Sequence, residues 1–230
     1  MSFWRVNNGF KGQGWCYKLI KTIVPLWRDK TPMMIITGAN ALYFNSLCNL
    51  LDSLVLHGEI DHIEVWNLGM AEEQYKHLIN NYQRFITIRV FQFNLYPDFF
   101  NIEVNKGEYA WKSICIGESL RFNPQFRLCF WLDASDAIVR HLDFERHLLK
   151  RYGFYSPYSS TSTAALTYPS VLDLFDVEGN KPMLSSGVVG WDRYSIFRSI
   201  IRLWESLSYE RNFIAPPYRL KKIIGKTRAC

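Results

Sequence analysis

Cys129-Phe130-Trp131-Leu132-Asp133-Ala134-Ser135-Asp136 is four apolar residues that run straight into two acids. With Arg127 and Leu128 ahead of it, the apolar part reads as a buried strand over 127–132. A carboxylate at the end of such a strand costs free energy to bury unless it is paired or holds a cation. Hard divalent ions take oxygen ligands, commonly one or two carboxylates together with the phosphates of a substrate. Asp133 and Asp136 are therefore candidate metal ligands. The same two acids also suit a helix cap beside a solvent-facing carboxylate, and the residues alone leave both readings open.

Working back from Asp133, the chain alternates. Met33-Met34-Ile35-Ile36-Thr37-Gly38 reads as a buried strand ending in a glycine turn. Residues 45–56 have helical apolar spacing, closed by His57-Gly58. A second strand fits 62–67, a helix 71–82, a third strand 85–93 and a helix 109–122. Beyond Asp133 a short helix over 144–152 stops at Gly153. Strand and helix thus alternate at least four times, which predicts an α/β fold with a mostly parallel central sheet and helices on both faces. Ligands bind such sheets at the carboxyl ends of the strands. Thr37-Gly38-Ala39-Asn40, Asn67-Leu68-Gly69 and Asp133 all fall at such ends. Residues 156–163 read as a Ser/Thr/Pro loop, 185–191 as a strand and 195–207 as a helix. No linker divides the chain, so 1–230 is expected to form one domain.

The 230 residues are 48% hydrophobic and 21% charged, and aromatic residues reach 16%. The net charge of +6 is uneven: 1–30 carries +5 and 211–230 carries +6, leaving 31–210 at −5. A mildly acidic body argues against a nucleic-acid-binding domain, whose positive charge lies along the fold itself. The basic ends suit peripheral contact with an anionic membrane or a partner, or simple solvation. Trp15 to Trp27 reads as a helix packed on the domain or lying at an interface. The five cysteines, Cys16, Cys48, Cys115, Cys129 and Cys230, have no CxxC spacing and suit reduced thiols. No apolar run approaches a membrane span, and the N-terminus lacks a signal-peptide core. A cytoplasmic protein is the expectation. No Gly-x-Ser-x-Gly, P-loop or Gly-x-Gly-x-x-Gly is present, which argues against hydrolase, NTPase and dinucleotide oxidoreductase readings.

The strand running into Leu132-Asp133-Ala134-Ser135-Asp136 resembles the aspartate-any-aspartate region of glycosyltransferases with the GT-A fold. Asn105-Lys106-Gly107-Glu108-Tyr109-Ala110-Trp111-Lys112 upstream and Ser185-Ser186-Gly187-Val188-Val189-Gly190-Trp191 downstream resemble small uncharacterised GT-A-like proteins of large algal viruses and nematodes, over roughly 33–218. That resemblance implies a metal-dependent glycosyltransferase moving a sugar from a UDP- or GDP-sugar to an acceptor hydroxyl, on a glycan or glycoprotein, with Mn²⁺ or Mg²⁺. The second acid of the usual pattern falls at Ser135 here, so either Asp136 replaces it or Asp133 binds metal alone and Ser135 meets a ribose or a water. Such proteins also continue past Pro216-Pro217 into an Asp-bearing segment, whereas this sequence stops at Cys230, as expected of a truncated product, a fragment or a minimal version lacking a normal catalytic group.

Carried over by position, Thr37, Gly38 and Ala39 would lie near the nucleobase and ribose, and Ser186 and Gly187 would line the donor-sugar pocket. Lys112 would reach the diphosphate, or else lie on a helix surface. Asp192 is the candidate general base, or else the cap of the helix that follows. Two other functions compete. A nucleotidyltransferase uses a similar fold, but it typically carries a basic residue in the turn after its first strand, and Thr37-Gly38-Ala39-Asn40 has none. A non-catalytic GT-A-like module would bind a partner or a glycan, docking through its basic ends.

Overall fold

Seven consecutive residues, Met33–Ala39, form strand β1, and all seven are buried because helices cover both faces of the sheet. The structure is a computed structural model, and it describes residue 29 and residues 31–214. The basic segments 1–28 and 215–230, with the helix expected near Trp15, Cys16 and Cys230, lie outside the described residues.

After β1 come helix α1 (Phe44–Leu56), strand β2 (His62–Asn67), helix α2 (Glu72–Tyr82) and strand β3 (Ile86–Val90). Helix α3 (Ala110–Phe122) leads into strand β4 (Leu128–Leu132) and helix α4 (Asp143–Tyr152). Then follow strands β5 (Phe154–Tyr155) and β6 (Tyr158–Ser162) and helices α5 (Thr163–Leu166) and α6 (Pro169–Leu174). Strands β7 (Pro182–Leu184) and β8 (Val188–Asp192) precede helices α7 (Arg198–Ser208) and α8 (Arg211–Ile214). The main sheet has the order β3-β2-β1-β4-β8-β5. The first four of these strands run parallel, while β8 enters antiparallel between β4 and β5.

Strand alternation sorts the core into two layers. Met33, Ile35, Ile63, Val65, Phe130 and Val188 pack with Leu47, Leu50, Leu51 and Leu54 of α1, Leu78 of α2 and Leu149 of α4. Met34, Ile36, Trp66, Trp131, Val189 and Trp191 face Ile114 and Cys115 of α3 and Ile201 of α7. Helix α3 lies under the sheet with α7 beyond it, and residues 110–117 are buried without a break. The first two turns of this helix are covered on all sides and carry no solvent stripe, so its one lysine, Lys112, is forced inside, while Arg121 and Phe122 in the last turn are exposed.

Three boundaries depart from the sequence expectation. The third strand stops at Val90 rather than 93, because Phe91 turns into the core and stacks on Tyr96 with ring centroids 4.6 Å apart. The Ser/Thr stretch expected as a loop forms β6, which pairs antiparallel with β7. Its Thr and Ser side chains tolerate an exposed ribbon, and that pairing is between residues far apart in sequence. The helix expected from 195 starts at Arg198, because the Ser195 hydroxyl donates to the carbonyls of Asp192 and Gly153 and holds 195–197 as a turn.

Candidate functional site around Asp133

Strand β4 sits where the sheet changes from parallel to antiparallel pairing, and Asp133 is the first residue past its carboxyl end. Its backbone N–H donates to the carbonyl of Gly187 at 2.9 Å and to Asp136 Oδ2 at 3.1 Å, and the Asp136 N–H donates back to the Asp133 carbonyl at 2.9 Å. Asp133 Oδ1 accepts from Lys112 Nζ and from Trp131 Nε1, both at 2.7 Å. Lys112 Nζ also donates to the Ser186 carbonyl at 3.2 Å. Its side chain is 3% exposed and that of Asp133 is 35% exposed, so the pair is a buried cation capped by a partly exposed carboxylate at the carboxyl end of β4.

Asp133 Oδ2 accepts no hydrogen bond among the described residues. A Cβ on Gly187 would stand 3.0 Å from it, so glycine keeps this oxygen accessible. Asp136 uses only Oδ2 on the Asp133 N–H. Burial, and then the Asp133 charge, push its carboxyl up to about 7. Ser135 and Asp136 line a cavity of about 750 Å³ whose walls include Tyr155, Tyr158, Ser185 and Val188. That volume falls within the range of small-molecule sites.

The structure therefore brings Lys112, Asp133, Asp136, Ser186 and Gly187 together, with Ser135 exposed beside them. Lys112 is neither a surface lysine nor a free cation reaching for a diphosphate, since Asp133 and Ser186 already hold its ammonium.

Two expectations need correction. Asp192 is not near this site. It pairs with Leu128 at the opposite end of β4, where its Oδ2 accepts from Arg127 Nε at 2.9 Å and Arg127 Nη2 at 2.7 Å, and its Oδ1 accepts from the Tyr194 N–H at 3.0 Å. It anchors a turn and an ion pair and is dropped as the base. Thr37, Gly38 and Ala39 do lie at the correct sheet edge, because β1 runs parallel to β4, but all three are buried. Gly38 faces Trp66 and Leu68, and Ala39 packs in the core, so the exposed chain begins at Asn40. Thr37 Oγ1 has no hydrogen-bond partner.

Three residues at this edge were missed by sequence reasoning. Lys106 Nζ lies 3.5 Å from the Tyr43 hydroxyl and 5.9 Å from the centre of the Tyr109 ring, and that ring is 5.6 Å from Lys112 Nζ. Lys106 and Tyr109 are placed by the backbone of residues 105–109, all five of which have positive φ, and Tyr43 by the turn after β1. Non-glycine residues adopt such angles rarely, and strain of this kind concentrates at functional sites. Gly107 cannot be replaced there, since a Cβ would come within 2.2 Å of the Phe100 carbonyl oxygen. That glycine was the sequence signal.

The molecule is an α/β protein whose mostly parallel sheet has a carboxylate at its central switch point, the place where sheets of this class hold their ligands. More particularly, the fold is that of the GT-A glycosyltransferases. It is similar to the bifunctional glycosyltransferase WbbM, with a TM-score of 0.52 and 9% identity over 78% of this chain and 34% of that one. It is similar to an active-site mutant of LgtC, a galactosyltransferase, with a TM-score of 0.52 and 14% identity over 76% of this chain and 64% of that one. At these identities the likeness concerns the fold alone. The chain spans about a third of WbbM and just under two thirds of LgtC. No protein-family profile and no curated protein sequence matches it.

Proposed function

We propose that the chain is a glycosyltransferase that moves a sugar from a UDP- or GDP-sugar to a hydroxyl of a glycan or glycoprotein, assisted by Mn²⁺ or Mg²⁺. The observation that carries this reading is the carboxylate of Asp133, held at the sheet's switch point by a buried lysine, with its second oxygen unbonded among the described residues and Ser135 and Asp136 leading from it into the adjacent cavity.

The donor set fits a divalent ion that arrives with a diphosphate. Among the described residues Asp133 Oδ2 and Asp136 Oδ1 accept no hydrogen bond, and two carboxylate oxygens are what such ions take from a protein when phosphates supply the rest. Among the described residues no cluster of three or more His, Cys, Asp or Glu side chains forms a preassembled cage. The chemistry such an ion supplies is charge stabilisation on the departing diphosphate.

The chain's own residues orient the rest. Trp131 and Lys112 fix the Asp133 carboxylate from below, so its free oxygen has one direction. Lys112 adds a positive charge under the site in a dry environment, where it acts more strongly than in water. Ser135, and Ser186 with Gly187, line the approach for sugar or ribose hydroxyls. Lys106 stands near the exposed start of the β1 turn, within reach of a phosphate. The bond between the sugar's anomeric carbon and the diphosphate breaks as the acceptor oxygen bonds to that carbon, and the proton of the acceptor hydroxyl passes to the departing diphosphate, directly or through water. The cavity beside Asp136, with Tyr155 and Tyr158 on its wall, offers aromatic faces to an acceptor sugar. Reduced cysteines and cytoplasmic residence remain part of this proposal. Cys48, Cys115 and Cys129 are free thiols in the structure.

The test is calorimetry with UDP and GDP, each with Mn²⁺ and with chelator, followed by a product assay with sugar nucleotides. Metal and nucleotide should raise each other's affinity by the same factor. Asp133→Ala should abolish metal-dependent binding, and Asp136→Ala should weaken it less. Equal affinity across all conditions and variants would make the two acids structural. Nucleotide transfer without sugar transfer would favour the nucleotidyltransferase reading, and sugar binding without product the non-catalytic one.

A further inference from the structure

The opposite end of the sheet carries a second polar cavity, of about 300 Å³, between α3, α7 and the end of β8. Four arginines line it, Arg121, Arg193, Arg198 and Arg202, against two acids, Asp192 and Glu205. Both acids are already engaged. Glu205 accepts both ends of the Arg121 fork, at 2.9 and 3.1 Å, and Asp192 is held by Arg127. Arg193 is clamped without any acid: its Nε donates to the Phe126 carbonyl at 2.9 Å and one Nη to the Asn123 carbonyl at 2.8 Å. Arg198 and Arg202 make no ion pair and no side-chain hydrogen bond among the described residues. They stand four apart on α7, so they project from one side of that helix. The cavity is also lined by Trp191, which is 1% exposed and whose Nε1 is a buried donor with no acceptor. Buried donors in folded proteins nearly always have one.

We propose that this cavity binds a phosphate group. Two unpaired guanidinium forks, with a third lining the same cavity and clamped by backbone carbonyls, present more charge-assisted donors than a carboxylate can satisfy, and a phosphoryl group with three terminal oxygens meets them. The cavity is far smaller than the one beside Asp136, so it takes a phosphate with a short ester rather than a sugar nucleotide. It is also separate from the donor site. Asp192 pairs with Leu128 while Val188 pairs with Leu132, so roughly 13 Å of strand divides the two. The phosphate has two sources with the same chemistry: a soluble phosphate or phosphomonoester, and a phospholipid headgroup.

The experiment uses the full chain and inorganic phosphate at constant ionic strength set with chloride. The melting temperature should rise saturably with phosphate, and the Trp191 indole N–H resonance, assigned with Trp191→Phe, should shift in step. Arg198→Gln with Arg202→Gln should weaken phosphate binding at least about tenfold, because two charge-assisted partners are lost. Both side chains are exposed, so the melting temperature without phosphate should not change, and neither should UDP and GDP affinity at the Asp133 site. A parallel arm measures co-sedimentation with phosphatidylcholine vesicles with and without phosphatidic acid. Binding that requires phosphatidic acid, depends on Arg198 and Arg202 and is displaced by free phosphate assigns the headgroup as the source. Binding of free phosphate alone assigns the soluble one. The proposal is overturned if neither probe binds, or if the double variant responds as the parent does. Loss of nucleotide binding at Asp133 alone would leave it standing.

Discussion

Lys112 Nζ and Asp133 Oδ1 are 2.7 Å apart, yet one partner lies inside the fold and the other at its surface. The ion pair is therefore asymmetric, and the two single deletions should differ. Removing Asp133 strands a buried lysine with the Ser186 carbonyl and the Trp131 ring beside it, and an uncompensated buried charge costs about 3–5 kcal/mol. Removing Lys112 leaves a carboxylate that water already reaches. Urea denaturation should find Asp133→Ala clearly less stable than Lys112→Ala, and Lys112→Met introduced into Asp133→Ala should recover part of the loss. Equal costs would mean that the lysine is not held dry.

Gly187→Ala separates stability from binding. Its Cβ would enter the approach to Asp133 Oδ2 without meeting the core. The expected outcome is a melting temperature within about 2 °C of the parent, the scale of a surface substitution. Metal-dependent nucleotide affinity should fall about tenfold, roughly 1.4 kcal/mol. Calorimetry and a thermal melt on the same preparation check both halves.

Glu64 makes stability depend on acid pH. It is fully buried on β2, with the Ser119 hydroxyl 2.5 Å and the Asn123 amide 2.7 Å from its two oxygens and Arg89 Nε at 2.9 Å. Burial by itself pushes its carboxyl up, but the donors, His62 and Ser119 first, outweigh burial and hold it below the usual glutamate value. A lowered folded-state value means the stabilisation is present above the unfolded-state value and is lost as pH falls through the folded one. Stability measured by urea melts should drop as pH falls from about 5 towards 3. Glu64→Gln should flatten that limb while lowering stability at neutral pH.

The fold was legible because its first four strands alternate with helices at short range, so hydrophobic periodicity reports each one. Strand β8 was legible as a strand, but its antiparallel insertion beside β4 was not, since a pairing between Leu132 and Val188 leaves no local trace. At the site, Asp133 stood out as an acid on an apolar strand. Lys112 was ambiguous because a lysine reads as surface until the burial of the first two turns of α3 on all sides is seen. Asp192 misled because a carboxylate at a strand end looks alike at either edge, and only strand direction tells them apart. Thr37 to Ala39 were placed at the right edge but one residue short of the exposed chain, an error of the size expected for strand boundaries.

The three cysteines among the described residues, Cys48, Cys115 and Cys129, should be sluggish thiols. Burial pushes Cys129 up to about 12 and Cys115 well above the ordinary range, and Cys48 is raised by partial burial and by Asp52. Since the thiolate is the reactive form, native labelling near neutral pH should leave Cys115 and Cys129 unmodified, with Cys48 reacting slowly and first of the three. Mass spectrometry of the labelled peptides reads this directly. Rapid labelling of Cys129 in folded protein would contradict its place in β4.

Strand β8 has a consequence for the order in which the protein assembles. Asp133 is joined to Lys112 across 21 residues, but the carbonyl of Ser186 that completes the lysine's shell is 74 residues away from it. Contacts across long separations form late, because the chain entropy of closing the loop is lost before the contact repays it. A chain that has formed β1 to β4 and their helices therefore has its acids in place and no roof over them. The last strand to slide in would deliver Ser186 and Gly187 together, so under the function proposed above nucleotide binding should appear only in the last refolding phase and would time the end of folding.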